Sequence, residues 1–105
     1  QDMVRILKKE QKCDLVICLS HIGYSYRNEP NKICDLNLAT LTKDIDMIIG
    51  GHTHTFLDKP TVVKNLEGKD VLVNQVGCYG INLGRIDIFF DSDKNKIHEG
   101  RSIVV

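Results

Sequence analysis

Three of the four histidines of this chain stand where they could do chemistry together. His52 and His54 flank one hydroxyl residue directly after two glycines, in Ile48-Ile49-Gly50-Gly51-His52-Thr53-His54-Thr55, and His21 stands in Leu19-Ser20-His21-Ile22-Gly23. Imidazoles delivered from chain corners have the shape of a metal site. Neutral imidazole accepts zinc, manganese-type and iron ions alike, so the residues point to a divalent ion without choosing it. The plainer reading is that loop histidines are ordinary exposed polar residues; their grouping at two strand exits favours the metal.

Each corner needs an element that delivers it. Leu15-Val16-Ile17-Cys18-Leu19 precedes His21 and Ile45 to Ile49 precedes the glycine pair. Such nearly continuous apolar runs read as strands covered on both faces. Between them lie an aperiodic loop, residues 23–32, and a short helix over 36–42 with Asp35 as its expected N-cap. Strand, helix and strand make a βαβ unit with parallel strands and a right-handed crossover. Both carboxyl ends then share one sheet edge, where open α/β sheets bind ligands. His21, His52 and His54 are expected to converge there, with Gly50 and Gly51 supplying a positive-φ turn free of a Cβ clash.

The remaining elements complete an α/β fold. Val4, Ile6 and Leu7 among charged neighbours predict an amphipathic helix over residues 2–12. Strands are expected at 61–65 and 71–76 around a turn at 66–70, then at 83–91 and 96–105 around a turn at 92–95, as an antiparallel layer. The expected class is a partial α/β sandwich: a βαβ unit followed by antiparallel strands. Gly77 to Gly80 has a spacing that suggests phosphate cradling but lacks a following helix, so it reads as a strand-to-strand turn. Tyr24, Tyr26 and Arg27 read as loop residues, His98 as a residue on a solvent-facing strand, and Asp44, Asp46 and Asp58 as structural.

At 105 residues the chain suffices for one compact domain. It is 42% hydrophobic and 27% charged, ordinary globular usage, with 14 basic residues balanced by 14 acidic ones. Neutrality argues against a nucleic-acid partner or an anionic membrane surface, so a phosphate would have to be met locally, and a metal is the natural means. No apolar stretch reaches the roughly 20 residues of a membrane span, and Gln1-Asp2-Met3-Val4-Arg5 lacks the shape of a signal peptide. A start at Gln1 suggests a piece of a longer or processed product. Cys13, Cys18, Cys34 and Cys78 form no C-x-x-C pair and read as structural, reduced thiols.

With these residues in view, the chain resembles the metallophosphoesterase domain of the 5′-nucleotidase family, within the calcineurin-like phosphoesterases. Asp14 to Gly23 is similar to that family's strand and first late histidine motif, Asp46 to Thr55 to its Gly-Gly-His motif, and Gly80-Ile81-Asn82-Leu83-Gly84-Arg85-Ile86-Asp87 to the strand that closes the domain. The resemblance implies two divalent ions (Zn, Mn, Fe, Mg or Ca) bridged by a carboxylate. His21 and His52 would ligate one and His54 the other, at a position where many nucleotidases carry an amide. Two ions roughly 3.5–4 Å apart polarise a phosphoryl group and generate a hydroxide for in-line attack. The implied substrates are 5′-nucleotides or related phosphate esters, and the implied location is periplasmic, extracellular or at the cell surface; the unpaired cysteines pull mildly against it.

The departures are as informative. The family's Asp-x-His, Gly-Asp and Gly-Asn-His motifs do not occur in this sequence. Without their carboxylates two dications repel across the site, so a half-site is expected, inactive alone, although one zinc-like ion could bind three histidines and water. Residues 1–105 would be the C-terminal part of the domain, without its N-terminal metal motifs or the family's C-terminal nucleotide-binding domain. A half-sheet also leaves an exposed edge that invites self-association. Two other readings stand beside this one: a non-enzymatic metal- or ligand-binding α/β module, and a purely structural module whose histidines decorate loops.

Overall fold

The computed structural model describes residues 1–105. A four-stranded sheet carries β1 (Ile17–Leu19), β2 (Met47–Ile49), β3 (Thr61–Lys64) and β4 (Asp70–Asn74) in the order β1-β2-β4-β3. β1 and β2 are parallel, as the two apolar runs predict, and are joined through the loop and a helix, α2 (Asp35–Thr40). The amino-terminal helix begins as α1 (Asp2–Arg5) and widens into a π-helical stretch over Ile6–Glu10, ending slightly short of its expected limit.

The expected antiparallel layer is corrected at β4. This strand pairs antiparallel with β3 but parallel with β2, and so takes a central place in the first sheet. Its residues explain the choice: Val71, Leu72, Val73 and Asn74 are all buried, as a strand covered on both faces requires, whereas β3 alternates and sits at the edge. On the helix-covered face Ile48, Val71 and Val73 form the core with Ala39 and Ile45. Each of the four Val and Ile side chains contributes about 1.5–3 kcal/mol by leaving water.

A separate two-stranded ribbon, β5 (Asn82–Phe90) and β6 (Lys96–Val104), lies against the other face. Gly84 permits the approach, because a Cβ there would stand 2.7 Å from Val76 Cγ1 and 3.0 Å from Asn74 Nδ2. At the ribbon's turn Asp91 accepts the N–H groups of Asn95 at 2.8 Å and Asp93 at 2.9 Å. The Asn95 bond above all holds the Asp91 carboxyl below its usual range.

Asp46 ties helix, sheet and ribbon together: it accepts the Val16 N–H and the Lys8 ammonium, both at 2.8 Å, and lies 3.3 Å from Lys96 Nζ. It stands at the amino end of β2, opposite the strand exits that carry the histidines. Between ribbon and sheet an apolar groove of about 590 Å³ runs past Ile17, Leu19, Met47, Ile49, Ile86 and Ile88. β1 is the outer strand beside it, and Leu19 there is 81% exposed. No helix is long and apolar enough to cross a membrane.

Candidate metal centre

The parallel pairing of β1, β2 and β4 aligns their carboxyl ends, and hydrogen bonding continues one residue past the first two. Ser20 N–H donates to Ile49 O and Gly50 N–H to Asn74 O, both at 2.9 Å. His21 and the Gly50-Gly51 corner therefore leave the sheet side by side. The rings of His21 and His52 meet edge to face, with centroids 5.4 Å apart and planes at 72°.

The glycine pair serves this approach differently from the sequence expectation. Neither Gly50 nor Gly51 has positive φ; His52 itself turns the chain, at φ +83°, and His54 follows at φ +51°. What the glycines supply is space. A Cβ on Gly51 would lie 2.9 Å from His21 Nδ1, and one on Gly50 would run into the Asp35 carboxylate. The left-handed backbone falls on residues for which it costs roughly 1–2 kcal/mol each, a cost that persists where surrounding structure enforces it.

His54 leaves this pair and faces Tyr79, ring centroids 6.0 Å apart. Tyr79 is 88% exposed and also left-handed, at φ +60°. No three or more His, Cys, Asp or Glu side chains are grouped closely enough to hold one ion. All three histidines thus reach one sheet edge, but as a pair and a neighbour. In the sequence Tyr79 is masked because Gly77 to Gly80 reads as a turn; its one signal is an aromatic residue set between two glycines.

Asp35 is not the helix cap expected of it. It is the first residue of α2, after Cys34, and its side chain turns inward. Fully buried, it accepts the Ser20 hydroxyl at 2.6 Å through Oδ1, while Oδ2 has no partner and abuts Gly50. Its own N–H donates to Gly23 O at 2.7 Å, so this residue joins both strand exits to the helix start. Burial first, and the Asp35 charge second, push the Cys18 thiol above its ordinary value.

Other residues near the corner are scaffold. Tyr24 shares a 2.6 Å hydrogen bond with Thr61 Oγ1, and Tyr26 donates to Ile22 O at 2.8 Å. The four cysteines are free. The site offers two facing imidazoles, His21 and His52, as candidate ligands of one divalent ion, with the His54 ring turned toward Tyr79. It does not by itself fit two ions, because no carboxylate joins it.

No protein-family model matches the chain. It is 44% identical over 91 residues to the trifunctional nucleotide phosphoesterase YfkN of Bacillus subtilis, a match covering 87% of this chain and 6% of that protein. An apyrase of Tabanus yao is 35% identical over 106 residues, covering 87% of this chain and 18% of the apyrase. Among solved structures, the 5′-nucleotidase precursor of Thermus thermophilus superposes with a TM-score of 0.81 at 33% identity, over 99% of this chain and 21% of that one. The chain spans less than a quarter of the length of each.

Proposed function

Because the chain belongs to the 5′-nucleotidase family and has part of its metallophosphoesterase fold, we propose that it is the late-histidine half of a dimetal phosphohydrolase domain. The intact protein would act on 5′-nucleotides or related phosphate esters, as the names of the relatives suggest. The observation that carries this reading is the edge-to-face approach of His21 and His52 at 5.4 Å on the carboxyl edge of the sheet.

Bound divalent ions would supply the charge that polarises a phosphoryl group and acidifies a water molecule. The contribution of this chain is positional: His21 and His52 would present nitrogens to one ion and His54 to the other, from strand ends tied together by the Ser20 N–H to Ile49 O and Gly50 N–H to Asn74 O hydrogen bonds. The bridging carboxylate would come from sequence outside these residues, as would the groups that recognise the nucleotide. The word precursor in the name of the Thermus relative supports a location outside the cytoplasm.

Phosphate release from a panel of 5′-nucleotides with added Mn²⁺ or Zn²⁺ tests the reading. The 105-residue chain is expected to release none, and the longer product to which we assign it is expected to release phosphate in a His52-dependent manner. A longer product that binds metal through His52 yet hydrolyses no phosphate ester would favour the binding-module reading instead.

Isolated, the chain would also pair with itself along the free edge of β1, next to the uncovered Leu19. Light scattering at micromolar concentration is expected to give at least a dimer mass. A monomer would count against edge pairing.

A further inference from the structure

We infer that Gln75 is the positioning residue of the histidine corner, acting through the backbone that carries His52 and His54. The inference rests on the proposal that His21 and His52 hold a divalent ion. Gln75 follows β4 directly and is only 2% exposed. Its amide is spent entirely on the segment from Gly51 to Thr55. Nε2 donates to Gly51 O at 2.8 Å and reaches Thr53 Oγ1 at 3.2 Å, while Oε1 accepts the Thr55 N–H at 2.9 Å. A carbonyl on one side and an N–H on the other determine which way the amide points.

These bonds bracket both histidines. Gly51 precedes His52, Thr53 separates the pair and Thr55 follows His54, so one side chain restrains every residue flanking the two positive-φ positions. Thr53 carries the restraint further: its Oγ1 accepts the Tyr24 N–H at 3.0 Å, from the loop that leaves His21. A continuous path from Gln75 through Thr53 to Tyr24 therefore links the His21 and His52 corners. With the amide buried, a corner that moved would leave polar atoms unpaired away from water. Partners one step behind metal ligands typically change metal affinity by about 10–100-fold.

The test combines amide hydrogen exchange with zinc titration, on the 105-residue chain and its Gln75→Leu, Thr53→Val, Thr53→Ser and Val73→Ala variants. In Gln75→Leu the Thr55 amide is expected to exchange at least about tenfold faster than in the parent, and in Thr53→Val the Tyr24 amide likewise, relative to the Leu72 amide of β4. Zinc affinity should fall about tenfold or more in both. Thr53→Ser, which keeps the hydroxyl, should retain the parent's values. Val73→Ala weakens the core without removing any of these hydrogen bonds and should retain its zinc affinity.

Exchange that rises by one common factor at Thr55, Tyr24 and Leu72 would overturn the inference, as would zinc affinity lost equally in Val73→Ala. Should Gln75→Leu fail to fold, Thr53→Val carries the same comparison. If the parent chain binds no zinc, the metal reading fails, and the exchange ratios alone decide whether Gln75 holds the corner.

Discussion

Replacing His52 with alanine is expected to lower zinc affinity by about 100-fold or more, beyond the roughly 10–100-fold cost of losing an outer partner. His52 is the residue that His21 faces at 5.4 Å, so its removal leaves one imidazole where two could share an ion. His54→Ala should cost less at the first ion, since its ring faces Tyr79 rather than the pair. His98→Ala, on β6 away from the strand exits, should leave affinity unchanged. Calorimetric titration of the three variants checks the order. Equal affinities in His52→Ala and the parent would remove the metal reading.

Replacing Gly50 with alanine is expected to destabilise the chain by about 2–3 kcal/mol, read from the urea midpoint, as overpacking of a filled interior does. The new methyl would collide with Asp35 Oδ2, and Asp35 is fully buried with its other oxygen bonded to Ser20. Either that bond is lost or β2 shifts against its neighbours. Removing the obstacle should show the coupling: Gly50→Ala combined with Asp35→Ala should cost clearly less than the sum of the two single changes. Additive costs would mean that the glycine serves something other than the carboxylate. Gly51→Ala should behave differently, because its methyl meets an exposed imidazole that can swing aside. Stability should change by less than about 1 kcal/mol, while zinc affinity falls as His21 leaves His52.

The sequence by itself determined the parts that depend on local pattern. Two apolar runs ending in His21 and in Gly50-Gly51-His52 are legible because a strand in an α/β sheet has a nearly unbroken apolar string and its exit a break in it; that β1 is left uncovered on one face, with Ile17 and Leu19 exposed, is not legible there. Parallel pairing of β1 and β2 followed from the βαβ rule, and with it the shared edge of the three histidines. Tertiary structure alone decided the rest. β4 inserts beside β2 because its buried residues need cover on two faces, and a hairpin pattern cannot reveal which neighbour lies on the far side. Asp35 reads locally as a cap, yet it turns inward because Ser20 and Gly50 meet it from strands distant in the chain. Gln75 has no local signal at all: its partners lie 20–24 residues away, and only their convergence makes a buried amide the right size for the gap. The glycine pair was found by pattern but explained by space, since a contact between Gly51 and His21 exists only once the two strand ends stand side by side.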